Sequence, residues 1–208
     1  MKNYFVRPSH PILTKTAKEI SEGQLNSSQI KKICELMLKI IRGEQKGRKR
    51  GVGLAAPQIG ISKRMILVDV KANGKGKVGN LRVYINPKII WKSKKGKEWY
   101  EGCYSTDRIC GIVSRPISIK IQAFTLAPKK WRAKFVEEKH RGYVARIFQH
   151  EIDHLDGKIF IDHIKNPDKL HWVEEQEFPL YRNKETWRNW PKKHPLANYD
   201  LGSSKNFT

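Results

Sequence analysis

The chain has 208 residues, of which 38% are hydrophobic, and a formal net charge of +22. Its length fits one domain, or one domain with an appendage. No stretch approaches the ~20 apolar residues of a transmembrane helix, and the N-terminus lacks an apolar run of signal-peptide length, so we expect an intracellular protein without a membrane span. The odd number of cysteines (Cys34, Cys103 and Cys110) argues against a disulfide framework.

The positive charge has two interpretations. The 42 Lys and Arg residues outnumber the 20 Asp and Glu residues, and such a surface attracts polyanions over long distances. One interpretation is an RNA-rich neighbourhood such as the ribosome, and the other is a solvated lysine surface. Because the lysines are scattered and no RNA-binding motif stands out, both stay open.

The first elements are an extended arm over residues 1–24 and a helix over 26–43. Apolar residues recur on one face of this helix, and Cys34 lies on that face, so we expect it to be a buried structural thiol. Asn26, Ser27 or Ser28 is the expected N-cap. The basic loop that follows, Lys46–Arg50, fits an exposed loop or a contact with phosphate.

Residues Gly51–Gly60 carry almost no side-chain bulk. Glycine allows a close backbone approach to a ligand, but a tight turn explains the stretch equally well. The pattern is neither a phosphate-binding P-loop nor a dinucleotide fingerprint. Gln58 is the one polar side chain here that could donate a hydrogen bond.

Strands are predicted through the middle of the chain. Alternating isoleucines in Ile117–Phe124 indicate a half-buried strand. Pro87 is expected to end one strand, and Lys88–Trp91 is a candidate continuation of the sheet. His140 is expected at a turn. The remaining predicted strands are Arg64–Val70, Leu81–Asn86 and Trp131–Val136, with Ala127–Lys130 as a turn.

The helix predicted over residues 142–155 carries the pattern H-E-x-x-H. His150 and His154 are four residues apart, so both imidazoles can face one metal ion, and Glu151 lies beside them as an acid/base. Arg146 and Asp153 are expected to point away from that face. Gly157 follows where a helix C-terminus favours positive φ.

The metal-ligand set is incomplete within this helix. Position 160 is Phe, so the third histidine of one protease pattern is missing, and His163 lies nine residues beyond His154. Cys103 is the best candidate for the third ligand, although a core thiol or a nucleophile also fits its surroundings. Cys110, without charged neighbours in sequence, is expected to be structural.

The last segment differs in character from the rest. Residues 165–208 intersperse Trp172, Trp187 and Trp190 with prolines and basic residues, and Glu174–Phe178 fits a short helix. We therefore predict a catalytic domain over residues 1–164 and a basic, aromatic-rich extension over 165–208.

Three motifs in this order resemble those of the peptide deformylases. They are G-x-G-x-A-A-x-Q at Gly51–Gln58, E-G-C-x-S at Glu101–Ser105 and Q-H-E-x-D-H-L-x-G at Gln149–Gly157. The resemblance implies an α+β fold in which antiparallel strands surround a central helix that bears H-E-x-x-H. It also implies a metal-dependent hydrolase that removes the formyl group from N-formylmethionyl nascent peptides and releases formate.

The resemblance assigns roles by motif position. The implied metal ligands are Cys103, His150 and His154. Fe²⁺ is the metal that the resemblance favours, while Zn²⁺, Ni²⁺ or Co²⁺ also suits this donor set. The implied catalytic groups are Glu151 as general acid/base, with Gln58 and the backbone N–H of Tyr104 as oxyanion donors. Val52 and Gly53 are candidate contacts with the substrate.

Two departures and two alternatives qualify this hypothesis. Position 104 is Tyr where Leu is common in the family, and Thr106–Arg108 replaces a short apolar step. A zinc peptidase would use the same helix with another third ligand, and a ribosome- or RNA-associated protein would hold a structural metal. The expected compartment is a bacterial cytoplasm, with ribosome contact through the basic surface and the extension.

Overall fold

The computed structural model describes residues 4–43, 51–74, 79–126 and 132–191. Within these ranges the chain forms three α-helices and eight β-strands. The helices are α1 (Ser28–Ile41), α2 (Gly142–Leu155) and α3 (Phe178–Tyr181). The strands are β1 (Gly53–Ala55), β2 (Met65–Asp69), β3 (Leu81–Lys92), β4 (Gly96–Gly102), β5 (Ile109–Pro116), β6 (Ser118–Leu126), β7 (Ala133–Arg141) and β8 (Leu170–Trp172).

Some predicted features lie outside the described residues. They are the basic loop at 46–50, the turn at 127–130 with Trp131, and the segment 192–208. In the part of the chain that is described, no helix is both long and apolar enough to cross a bilayer.

The strands form two antiparallel sheets. One sheet has five strands in the order β1-β2-β3-β6-β7, and the other has three in the order β4-β5-β8. Every strand pair in both sheets is antiparallel. The α+β class with antiparallel strands, which the motif resemblance implies, is therefore confirmed.

The five-stranded sheet lies between α1 and α2. All five residues of β2 are buried, because alternate side chains enter different cores. Ile66 and Val68 pack with α2, whereas Met65 and Leu67 pack with α1. This arrangement explains why β2 is a continuous apolar run rather than an alternating one.

Helix α1 confirms the helix predicted near the N-terminus, with ends two residues inside the predicted ones. The Ser27 hydroxyl accepts a hydrogen bond from the Ile30 N–H at 3.4 Å, so Ser27 is the N-cap. Cys34 is fully buried, as expected for a structural thiol. Gly43, with φ of 71°, follows the helix.

The prediction that a strand ends at Pro87 is wrong, because β3 continues to Lys92. The candidate continuation of the sheet at Lys88–Trp91 is confirmed as part of this strand. A register shift between Ile85 and Lys88 accommodates the proline, and Asn86 has a positive φ of 49°. The Asn86 side chain is fixed by hydrogen bonds with the N–H and the carbonyl of Ile20 at 3.0 and 2.7 Å.

The turn expected at His140 is also wrong. Strand β7 runs past Val136 to Arg141, and His140 lies within it. Its imidazole stacks on Phe148 of α2, with ring centroids 4.3 Å apart. The predicted strand was too short because charged residues occupy both faces of β7, one of which is only half-buried.

The segment after residue 165 packs on the three-stranded sheet. β8 pairs with β5, and a 3₁₀ helix at Glu175–Glu177 precedes α3. Tyr181, Trp187 and Trp190 form a buried cluster with residues of β5. The indole N–H of Trp187 donates to the Tyr181 carbonyl at 2.7 Å, which satisfies a buried donor.

Candidate metal centre

Two elements bring together three side chains that could bind a metal ion. Cys103 directly follows β4, while His150 and His154 lie on consecutive turns of α2. One ligand atom from each of these residues lies within 4.8 Å of the others. The two imidazole rings are nearly perpendicular, at 81°, and their centroids are 5.1 Å apart. The three residues that the motif resemblance implies as metal ligands thus form one compact group of a thiol and two imidazoles.

The orientation of His150 is set by a carboxylate behind it. Its Nδ1 lies 2.8 Å from Oε2 of Glu101, a residue of β4. A hydrogen bond at Nδ1 leaves Nε2 as the nitrogen available to a metal. For His154 it is Nε2 that faces the Cys103 Sγ, at 3.1 Å.

Glu101 is the centre of a buried network of charges. Arg115 donates to both of its carboxylate oxygens, at 2.7 and 2.9 Å. Arg146 donates to Oε1 at 2.6 Å and to the carbonyl of Val113 at 3.0 Å. Burial alone would raise the pKa of Glu101, but Arg115 and His150 outweigh it and hold this pKa well below its usual value.

The expectation that Arg146 and Asp153 point away from the site is therefore wrong. Both belong to the network, since Arg115 also donates to Asp153 at 2.7 Å. His163 contacts the same Asp153 oxygen at 2.8 Å, so this half-exposed histidine is engaged beyond the metal-binding group. Arg146 can reach Glu101 because β4 and β5 lie against this face of α2.

Glu151 lies inside the site and is 4% exposed. Burial raises its pKa to about 7. Among the described residues, its Oε2 has no hydrogen-bond partner. Gly53 of β1 lies against this side chain, because a Cβ added there would be 2.3 Å from Oε1 of Glu151. The glycine thus leaves room for the carboxylate beside the strand.

The Cys103 thiol and the two histidines affect one another's protonation. Burial would raise the pKa of Cys103, but His154 and His150 outweigh it and hold this pKa well below its usual value. Burial would likewise lower the pKa of His150, yet Cys103 and Glu101 raise it well above 6.5. The thiolate form that a metal requires is therefore favoured by the surroundings.

Gln58 is fixed so that its amide nitrogen faces the site. Its Oε1 accepts from the Ala55 N–H at 2.8 Å, which determines the orientation of the amide. Its Nε2 lies 3.2 Å from Cys103 Sγ and 3.3 Å from Ser105 Oγ. The side chain is 2% exposed, so a donor is held close to the thiol in a largely dry environment.

The other predicted residues border the same space. Tyr104 follows Cys103 in the chain, opens a short 3₁₀ helix and is 40% exposed. Val52 and Gly53 are partly exposed. The structure thus brings all the candidate site residues to one location between β1, α2 and the end of β4.

The donor set fits a divalent transition metal. A thiolate and two imidazoles make a three-ligand group that leaves a position open for a water or a substrate. Within the described residues, Nδ1 of His154 and Oε2 of Glu151 are buried without partners. Such unsatisfied atoms are costly in a core and common where an ion or substrate acts.

The comparison with known families agrees with this geometry. The family model described as "Polypeptide deformylase" matches residues 3–170. The chain belongs to the peptide deformylase family. This match covers all three motifs and ends within the segment that forms β8.

Two peptide deformylases are similar in sequence to most of this chain. A peptide deformylase from Pelotomaculum thermopropionicum is 43% identical over 160 residues, which is 76% of this chain and 89% of the relative. The chloroplastic peptide deformylase 1A of Solanum lycopersicum is 32% identical over 188 residues, which is 84% of this chain. The alignment spans only 64% of the tomato protein, less than two thirds of its length.

A solved structure shares the fold of this deformylase chain. The class I type b peptide deformylase from Acinetobacter baumannii, bound to Met-Ala-Ser, superposes with a TM-score of 0.67 at 32% identity. The match covers 77% of this chain and 96% of that one.

Sequence reasoning missed the charged residues behind the ligands. Glu101 was recognised only as part of a motif, and Arg115 received no role. The available signal was the position of Arg146, four residues before His150 and so on the same helix face.

Proposed function

We propose that this protein is a metal-dependent deformylase that hydrolyses the formyl group from N-formylmethionyl nascent peptides and releases formate. The observation that carries the proposal is the convergence of Cys103, His150 and His154 with the buried Glu151. Membership of the deformylase family supports it.

The proposed reaction requires a metal ion. Cys103, at the end of β4, and His150 and His154, on α2, would hold it. A divalent ion held there would supply Lewis acidity towards water and the formyl oxygen. We propose Fe²⁺ as the metal, with Zn²⁺, Ni²⁺ or Co²⁺ able to replace it.

Glu151 would transfer the proton. Because burial raises its pKa to about 7, the carboxylate can accept a proton from the attacking water near neutral pH. The protonated carboxyl group of Glu151 can then donate that proton to the leaving amine of methionine. Its position beside Gly53 supports this role, since a peptide lying along β1 passes directly next to the carboxylate.

Gln58 and the backbone N–H of Tyr104 would stabilise the developing oxyanion. The amide nitrogen of Gln58 lies on the site side, next to Cys103. Donors fixed before the reaction stabilise charge in the transition state without reorganising. Val52 and Gly53 would contact the methionine residue or the peptide backbone.

The Glu151→Gln variant tests this mechanism. We expect it to retain its metal, measured by elemental analysis, and to lose formate release from formyl-Met-Ala-Ser by about 10²- to 10⁴-fold. The matched control is Glu35→Gln, which removes an exposed glutamate of α1 that forms an ion pair with Lys31 at 3.9 Å. Unchanged turnover in Glu151→Gln would exclude the mechanism. Cleavage of unformylated peptides would favour a peptidase.

We propose in addition that the enzyme acts in a bacterial cytoplasm and contacts the ribosome through basic residues of the 165–208 extension. Bacterial relatives and the charge of +22 support this. Co-sedimentation with ribosomes tests the contact. We expect Lys184→Glu to weaken it and Lys39→Glu on α1 to leave it unchanged; equal effects would exclude a specific surface.

A further inference from the structure

Within the described part of the chain, one edge of the five-stranded sheet is open beside the candidate metal centre. There β1 is an end strand, and its strand partner is β2. The Val52 carbonyl accepts from the Asp69 N–H at 2.8 Å, so Val52 faces β2. Because backbone groups alternate along an antiparallel pair, Gly53 and Ala55 face the other way, towards the open edge.

A peptide strand can extend along the open edge in one direction only. The Ala55 N–H is already bonded to Oε1 of Gln58 at 2.8 Å. A peptide that adds to this edge from Gly53 must therefore extend towards Gly51 rather than past Ala55. A peptide strand that adds to this edge would thus run along residues Gly51–Gly53.

The two ends of this course have different surroundings. At Gly53, an added Cβ would lie 2.3 Å from Oε1 of Glu151, so the reacting bond belongs at this end. At Gly51, an added Cβ would lie 3.5 Å from the Tyr104 Oη. Since strand residues are spaced by about 3.3 Å, the substrate residues that reach Gly51 are the second and third.

Two aromatic side chains lie at the Gly51 end of this course. The rings of Phe5 and Tyr104 have centroids 4.6 Å apart and planes inclined by 31°. The arm that carries Phe5 is attached to the site, because the Val6 N–H donates to the Gln58 carbonyl at 3.0 Å. Tyr104 remains 40% exposed, so the pair presents an aromatic surface, here called the Phe5–Tyr104 wall.

We propose that the Phe5–Tyr104 wall selects peptides with an aromatic side chain at the second or third residue. The inference rests on the proposed function. It adds a specificity determinant outside the metal-binding and proton-transfer groups. Aromatic pairs are favoured beyond the area that they bury, and the wall lies where those substrate side chains pass.

The test compares kcat/KM for formyl-Met-Ala-Ala with that for formyl-Met-Phe-Ala and formyl-Met-Ala-Phe in the metal-loaded enzyme. We expect the wild type to prefer at least one phenylalanine peptide by about five-fold. Tyr104→Leu and Phe5→Leu should each reduce this ratio towards one. Phe135→Leu, which changes an exposed aromatic residue on β7, is the matched control and should preserve it.

The outcomes separate the two proposals. A wild-type ratio of one, a ratio that survives both wall variants, or an equal loss in Phe135→Leu would overturn the specificity inference alone, because formate is still released. Absence of formate from all three peptides in the metal-loaded wild type would overturn the proposed function and this inference with it. Phe5→Leu keeps the test decisive if Tyr104→Leu does not fold.

Discussion

Helices α1 and α2 are the same length, 14 residues each, and pack on opposite faces of one sheet, but they bury different chemistry. The buried side of α1 holds only apolar residues and the Cys34 thiol. The buried side of α2 also holds four polar or charged residues. They are Arg146, Gln149, Glu151 and His154.

The difference shows what a functional helix requires of its neighbours. The apolar face of α1 needs only a complementary apolar surface. Each polar group on α2 needs a partner, and the three-stranded sheet supplies several of them. Gln149, for example, donates to the Pro116 carbonyl at 3.0 Å. Oε2 of Glu151 and Nδ1 of His154, which are buried without partners among the residues that the structure describes, lie where the chemistry is proposed.

The largest expected effect comes from removing a charge from α2. Arg146→Ala would leave Glu101 with one guanidinium fewer and would remove a donor from the carbonyls of Lys97 and Val113. We expect a loss of roughly 3–5 kcal/mol in the free energy of unfolding, as for a broken buried ion pair. Urea unfolding of the metal-free protein measures it.

The control for this variant is on the other helix. Lys39→Ala removes an exposed cation from α1, and we expect a change within about 0.5 kcal/mol. If Arg146→Ala cost less than about 1 kcal/mol, the pair would behave like an exposed ion pair. The contrast between the two helices would then be wrong.

The next effect separates stability from activity. Met37→Ala on α1 opens a cavity at a fully buried position, and we expect a loss of roughly 2–5 kcal/mol in the free energy of unfolding. The kcat/KM of formate release, corrected for the folded fraction, should not change. A ten-fold fall in that corrected value would show that α1 also contributes to catalysis.

A smaller effect is expected on metal binding. Glu101→Gln weakens the acceptor that orients His150, and we expect about 10- to 100-fold weaker metal affinity in competition with a chelator. Glu98→Gln is the control on the same strand, since Glu98 is exposed and pairs with Lys169 at 2.5 Å. Equal affinities in both variants would contradict a positioning role for Glu101.

The smallest expected effect is a difference in thiol reactivity among the three cysteines, and its measurement needs no mutation. Burial raises the pKa of Cys34 and of Cys110 to about 12, whereas that of Cys103 is held well below its usual value. Iodoacetamide reacts with thiolates, so at pH 8 it should modify Cys103 alone in the metal-free native protein. Peptide mass spectrometry identifies the site. Modification of Cys34 at the same rate would indicate that α1 opens readily.

The sequence predicted the elements whose signals are local. The apolar period of α1 and the alternation of β6 depend on neighbouring residues, and both elements are present. The H-E-x-x-H spacing likewise directed attention to His150 and His154. Cys103, by contrast, is 47 positions before His150, and only the combination of three motifs related it to the helix.

The errors share a physical cause. A helical period places Arg146 and Asp153 around α2, but it does not show which strands lie against each side. The continuation of β3 through Pro87 depends on a contact between Asn86 and the distant Ile20. In each case a partner remote in sequence overrode a local preference.

The pairing of β8 with β5 affects the order in which the protein can be completed during synthesis. β4, which leads into Cys103, is in a sheet whose third strand is made almost 70 residues later, at Leu170–Trp172. A nascent chain that stops short of Leu170 would expose one edge of β5, and an unpaired edge favours association between chains. The segment that looks like an appendage in the sequence thus supplies the strand that covers this edge of β5.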